Sequence, residues 1–388
     1  NKNGACYETR RDGRAMGVSG GSYAAQILCG SIFSFVRINL TGPLLKARRL
    51  HNAGRHAEAQ KLYAQVIEEN PHDAETLYLL GSLLAQQGEF EAGQAFLRRA
   101  VIENPKNSIY HCNLGVIQQN LNLLDQAMVS FRLSIKCDKR NVDAYYNLAK
   151  LYKQLDLIES AFMCYGQVLS IDPSRYDALI NMGNILVDRG LYDKAIDHFQ
   201  RAIEMNFKSV RAYINLGNTY RRIGLSNQAV AAYDHVLNIR NHDGLRIKRA
   251  VTLPVVYESV VHISAVREEF TKRVRELEED DLSVIDPSLE TSTTNFFLAY
   301  HNQNNRDLQS AIARIHLRSC PRLGWTAPHC EETQGLTGKI RIGFLSCYFR
   351  RHSVGRLMVG MITRMPKDQF EVVIITVRGQ RDPIAQAI

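Results

Sequence analysis

Four asparagines at a fixed interval carry the first chemistry in the sequence: Asn113, Asn147, Asn181 and Asn215 recur every 34 residues. A carboxamide holds a donor and an acceptor together, so a column of them can grip an extended peptide backbone without reading its side chains. The competing use of such a residue is a hydrogen bond to a neighbouring helix. A second group lies near the end, where Arg350, Arg351, His352 and Ser353 follow a short apolar run. A histidine in a strand-to-helix turn can serve as general acid or base; the competing reading gives Ser353 to a helix N-cap and Arg356 to a solvated first turn. Cys320, His329, Cys330 and Cys347 offer metal-ligand chemistry but no paired spacing, and adjacent His329 and Cys330 rarely serve one tetrahedral ion, so no metal is expected. The eight cysteines include no CxxC pair, which fits a reducing, cytoplasmic or nucleocytoplasmic setting.

The element that must position the asparagines is a repeat. Blocks of 34 residues from Leu40 give six units over 40–243, beginning at 40, 74, 108, 142, 176 and 210. Position 8 is small (Ala47, Gly81, Gly115, Ala149, Gly183, Gly217), and so is position 20 (Ala59, Gly93, Ala127, Ala161, Ala195, Ala229). Position 24 is large throughout, as Tyr63, Leu97, Phe131, Tyr165, Phe199 and Tyr233. Two helices can approach closely where small residues face each other, and the large residue is expected to fill the gap against the next unit. Gly54, Gly88, Gly190 and Gly224 at position 15 suit the turn after the first helix. Pro71, Pro105 and Pro173 end the second helix, and the junctions at Lys139, Phe207 and Asn241 should be less sharply punctuated. The pattern resembles the tetratricopeptide repeat (TPR). It implies twelve antiparallel helices in a right-handed superhelix, with the position-6 asparagines on the concave face.

Residues 1–39 read as a poorly specified leader, with a short apolar run at Ile32–Val36 that cannot span a bilayer. Residues 244–338 read as a helical linker: helix over 244–280, an acidic run at Glu276–Asp281 forming a solvated helix end, a polar stretch over 283–294 and helix around Asp307–Leu317. At Lys339 the pattern changes to strand, basic turn, helix (Val354–Met365) and strand (Phe370–Val377), the order of a βαβ unit. The fold class is therefore mainly α: a TPR superhelix, a helical linker, and over 339–388 the first βαβ unit of a Rossmann-like lobe. The formal net charge of +9 is spread along the chain rather than gathered into a stripe, which argues against a nucleic-acid surface.

The repeats with Asn at position 6, together with the stretch KIRIGFLSCYFRRHSVGRLM at 339–358, resemble the protein O-linked N-acetylglucosamine transferases and their SPINDLY relatives, glycosyltransferase family 41. The segments Thr294–Gln309 and Cys320–Cys330 look like the bridge of bacterial SPINDLY-like members. The resemblance implies a GT-B core and inverting sugar transfer to Ser or Thr, with UDP-N-acetylglucosamine or GDP-fucose as donor and no other cofactor. It implies a catalytic position for His352. It also implies acceptor proteins or peptides as partners, held at Asn113, Asn147, Asn181 and Asn215; the array can support oligomers too. The nucleotide-binding residues of that family lie in a second lobe outside residues 1–388, so no turnover is expected from this chain by itself. The rival expectation is a non-catalytic TPR adaptor that joins proteins.

Overall fold

Each repeat is a helical hairpin with a three-residue turn. The first repeat holds α1 (Gly42–Asn52) and α2 (His56–Glu69), and the second α3 (Ala74–Gln86) and α4 (Phe90–Glu103). The third holds α5 (Ser108–Asn120) and α6 (Leu124–Cys137), the fourth α7 (Val142–Gln154) and α8 (Ile158–Ile171). The fifth holds α9 (Tyr176–Asp188) and α10 (Tyr192–Met205), the sixth α11 (Val210–Arg222) and α12 (Ser226–Ile239). The computed structural model describes residues 42–292, 295–326, 338–346, 348–349, 352–376 and 383–387, and the chain divides into two compact units after Cys320. The expected leader over 1–39 lies outside the described residues.

The turns close alike because one backbone solution recurs. At position 15 the chain takes positive φ, 75° at Gly54, 86° at Gly88, 73° at Gly190 and 85° at Gly224. In the third and fourth repeats Asn122 (58°) and Asp156 (59°) adopt the same left-handed conformation, which their short polar side chains tolerate. The next residue donates its N–H to a carbonyl five residues back, as in Leu123 to Gln118 and Leu157 to Tyr152, both 2.8 Å. Carbonyls orphaned at the helix end are thereby satisfied. The second helices also end in register, at Cys137 and Met205 as at Glu103. The looser junctions expected at Lys139 and Phe207 are not seen. Asp138 and Asn206 accept the N–H groups of Arg140 (2.8 Å) and Lys208 (3.2 Å), so a side-chain turn does what proline does elsewhere.

Packing adds to one further expectation. The large residue at position 24 shares a core with the next unit, as Tyr63 does with Leu79 and Leu83, and it also fills space over its own repeat's position 8. A Cβ on Gly115 would come within 2.7 Å of the Phe131 ring, on Gly183 within 2.6 Å of Phe199, and on Gly217 within 2.5 Å of Tyr233. At these three positions the ring stands where a methyl group would go, whereas in the first and fourth repeats Tyr63 and Tyr165 leave room for Ala47 and Ala149. Tyr63, Tyr165, Tyr233, Phe131 and Phe199 are fully buried. The close approach of positions 8 and 20 is present as expected: a Cβ on Gly93 would meet the Gly81 carbonyl at 2.8 Å. Along the array, first helices of successive repeats touch (α3 with α5, α5 with α7, α9 with α11), and no second helix makes a comparable contact with the next second helix. The first helices therefore crowd on the inner side of the curve.

After the sixth repeat come α13 (Asp243–Ala250), α14 (Val260–Glu279), α15 (Pro287–Glu290), a short 3-10 turn at Phe296–His301 and α16 (Arg306–Ser319). The single helix expected over 244–280 is broken between Ala250 and Val260, where Pro254 removes a donor and constrains the residue before it. Ile247, Leu253, Phe270, Val274, Leu298 and Ile312 gather there into one core. The acidic run is more than a solvated end. Glu278 pairs with Arg314 (2.7 Å), Asp280 with Arg246, and Arg318 donates to the carbonyls of Leu277 and Asp280, both 3.0 Å.

The second unit contains β1 (Ile340–Leu345), α17 (Ser353–Thr363), β2 (Phe370–Ile375) and α18 (Pro383–Ala387). The strands pair in parallel, with Ile340 opposite Phe370 and Leu345 opposite Ile375. Among the described residues these are the only strands, so the molecule is a mainly helical solenoid carrying a two-stranded parallel sheet late in the chain. That sheet alone does not establish a Rossmann-like lobe.

Candidate peptide-binding site

A carboxamide buried in a helical interface must find partners, because an unpaired buried donor costs about 1–3 kcal/mol. The asparagines at position 6 find them in the preceding repeat. Asn113 donates to the Tyr78 hydroxyl (2.9 Å), Asn147 faces the Cys112 sulfur (3.9 Å) and Asn181 donates to the Tyr146 hydroxyl (3.3 Å). All three acceptors stand at position 5 of the repeat before. The corresponding residue for Asn215 is Ile180, which has no acceptor, so Asn215 turns to the Asn184 carbonyl at 2.8 Å. Leu79 and Leu44, which occupy positions 6 and 5 in the first two repeats, share an apolar cluster.

These contacts revise the expected open track of four asparagines. Asn113 and Asn147 are buried between helices at 1% and 8% exposure, and only Asn181 and Asn215 are half-buried. The Asn113 Oδ1 atom is buried without a partner. Sequence reasoning missed the position-5 acceptors Tyr78, Cys112 and Tyr146, although writing position 5 of one repeat against position 6 of the next would have exposed them. It missed Asn184 and Asn218 at position 9 as well.

Charge is interleaved along the same helices. Asp143 pairs with Arg175 (2.9 Å) and Asp177 with Arg211 (2.7 Å) across neighbouring repeats. Arg175 and Lys150 sit over the Tyr146 ring at 5.2 and 5.9 Å, and burial lowers the Lys150 ammonium from its ordinary range. The Tyr146 hydroxyl is raised, chiefly by burial and then by Asp177.

In the second unit His352 caps α17. Its Nδ1 accepts the Val354 N–H at 3.2 Å, so the cap is His352 and not Ser353. The imidazole stacks on Tyr348 with centroids 4.4 Å apart. A neutral ring that accepts at Nδ1 carries its proton on Nε2. Arg350 and Arg351, expected beside it, lie outside the described residues, as do His329, Cys330 and Cys347. Cys320 is buried against the Ile285 carbonyl at 3.9 Å. No group of metal-ligating side chains occurs among the described residues, and no described helix is long and apolar enough to cross a membrane.

Residues 50–114, 142–175 and 174–242 match family models described as tetratricopeptide repeat. The array is built of tetratricopeptide repeats. Solved structures similar to this chain include MamA, 22% identical, covering 45% of this chain and 99% of that one with a TM-score of 0.41. They also include YrrB, titled as a TPR protein with an unusual peptide-binding site (21% identity, 47% and 94% coverage, TM-score 0.41). A third is PilF of Pseudomonas aeruginosa (17% identity, 58% and 97% coverage, TM-score 0.46). No curated protein matches the sequence significantly. The TPR fold is one for protein–protein interaction, and the TPR family is the extent of the match: the glycosyltransferase resemblance finds no counterpart among these relatives.

Proposed function

We propose that the TPR array holds an extended peptide or protein segment along its inner face and so joins proteins. One observation carries this reading. Asn181 and Asn215 each give one side-chain N–H to the preceding repeat and remain half-exposed, which holds two carboxamides in fixed orientation one repeat apart, their carbonyl oxygens free of that bond. Acceptors fixed before binding lose little entropy when a peptide N–H arrives. The test is a fluorescence-anisotropy screen of an unstructured decapeptide library against the chain and an Asn181→Ala/Asn215→Ala variant. At about 0.5–1.5 kcal/mol for each hydrogen bond, the variant should bind hits at least about fivefold more weakly while remaining folded at the assay temperature, its melting temperature lowered only slightly by the two lost inter-repeat bonds. Equal binding by both proteins removes these asparagines from the site.

A second reading adds catalysis by a larger assembly, and residues 339–358 favour it. Under it the array is the acceptor-holding arm of a protein O-glycosyltransferase, with His352 near the reacting groups and UDP-N-acetylglucosamine or GDP-fucose as donor. The parallel pairing of β1 with β2 on either side of α17 supports it. Sequencing the complete transcript and assaying its product with labelled donor is the test. A reading frame without a second nucleotide-binding lobe, or a product that transfers neither sugar, leaves the adaptor.

A further inference from the structure

Where the last repeat meets α13, Lys248 and Arg221 come together without an ion-pair partner among the described residues. Lys248 on α13 is 3% exposed, and among the described residues its Nζ reaches two neutral acceptors, the Asn218 Oδ1 and the Ser292 Oγ, each at 3.4 Å. Arg221 on α11 donates from Nη2 to the Ser292 carbonyl at 3.2 Å and interacts with the Tyr233 hydroxyl, while its buried Nε has no hydrogen-bond partner of good geometry among the described residues. The Tyr233 hydroxyl donates to the same Asn218 oxygen at 2.9 Å. Burial, and then Arg221, push the Lys248 ammonium down to about 8.

The nearby carboxylates are committed elsewhere. Asp234 pairs with Arg249 and Asp280 with Arg246. Asp243 accepts the Ser283 N–H and pairs with Arg246, and Glu290 accepts the N–H groups of Ile285 and Asp286. Neither Lys248 nor Arg221 forms an ion pair among the described residues. A buried ammonium beside a second cation, with long bonds to neutral oxygens, is an unfavourable arrangement that an oxyanion would relieve. Asn215, Asn218 and Arg221 stand at intervals of three along α11, on neighbouring turns of one face. The half-buried carboxamides of the groove therefore lead to these cations.

We propose that Lys248 and Arg221 form an anion subsite at the end of the array, which takes the carboxylate or phosphate group of an acidic residue in the bound peptide. This rests on the peptide-binding reading above and adds a chemical preference to it. The Arg221 guanidinium offers a fork of donors, and Lys248 supplies a point charge behind it.

The first test titrates inorganic phosphate into the full chain at constant ionic strength, reading melting temperature and binding heat for wild type, Lys248→Met and Arg221→Gln. Saturable stabilisation of the wild type and at least tenfold weaker binding by both variants are expected. Equal responses from all three proteins, or none from the wild type, overturn the proposal. Arg221→Gln changes a half-buried residue and keeps the test valid where Lys248→Met perturbs folding. The second arm uses decapeptides that differ at one position, as Glu, phosphoserine or Gln. The charged forms should bind at least tenfold tighter than the Gln form, with the gap closed in both variants; whichever charged form binds tighter identifies the source. Peptides that bind regardless of that residue leave the groove intact and overturn the subsite. Phosphate binding lost in the variants, without any peptide binding, assigns the cations to a free anion and overturns the peptide form.

Discussion

Asn113 in the third repeat donates its side-chain N–H to the hydroxyl of Tyr78, thirty-five residues earlier and 2.9 Å away. That bond joins a buried amide of one repeat to a half-buried hydroxyl of another. Asn113→Ala should therefore lower stability by about 1 kcal/mol or more, because it removes an inter-repeat hydrogen bond made from a buried side chain. Asn181→Ala, at a half-buried site with a longer bond, should cost less than about 1 kcal/mol. Urea midpoints for the two variants check the order; equal midpoints would falsify the claim that burial separates the two asparagines.

Glycines within the helices should divide into two classes. Gly115→Ala drives a methyl group into the Phe131 ring and should destabilise by about 1–3 kcal/mol. Gly166→Ala, inside α8 with nothing within 4 Å of the added carbon, should stabilise by up to about 1 kcal/mol through helix propensity. Thermal melts of the two single variants suffice, and shifts of the same sign would contradict the packing described for position 8.

The turns make a ranking testable at one position. With φ at 86°, Gly88 should tolerate Asn better than Ala, since Asn122 holds the equivalent place at 58°. Gly88→Ala should cost about 1 kcal/mol and Gly88→Asn less. A melt in which the alanine variant matches or exceeds the asparagine variant goes against this.

Lys248 sets a pH dependence with a definite sign. Its folded value of about 8 lies below the ordinary lysine value of 10.5, so between them the unfolded chain binds more protons and stability rises with pH. Burial also raises the hydroxyls of Tyr110 and Tyr233 to about 12, and above pH of about 10 those groups act in the opposite direction. The rise should thus be confined to pH of about 8–10 and be reduced in Lys248→Met, the remainder coming from Lys150, which burial also lowers. Denaturation midpoints across that window read the effect directly, and a flat wild-type profile speaks against a buried charged lysine.

Much of the array was legible in the sequence because its signals are local and repeated. Positions 8, 15, 20 and 24 each act through one backbone turn or one hairpin contact, so their residue types announce their jobs. Asn122 and Asp156 were missed as turn residues because asparagine and aspartate have several uses, whereas glycine at a fixed position has few. The own-repeat partner of position 24 and the acceptors of position 6 depend on which neighbour a side chain leans toward, and periodicity gives spacing without direction. The cations at Lys248 and Arg221 were unreadable for another reason. Their pairing joins α11 to α13 and the chain at Ser292 across the point where the period stops.

The bonds between position 6 and position 5 act as a matching rule between tiles. Removing the third, fourth or fifth repeat would leave Asn147, Asn181 or Asn215 facing Tyr78, Cys112 or Tyr146, and each of these can accept a hydrogen bond. Removing the second would set Asn113 against Leu44, which cannot. The third, fourth and fifth repeats can thus be lost from the gene without leaving a position-6 amide opposite a residue that cannot accept, while the apolar Leu44 excludes the second repeat from that exchange.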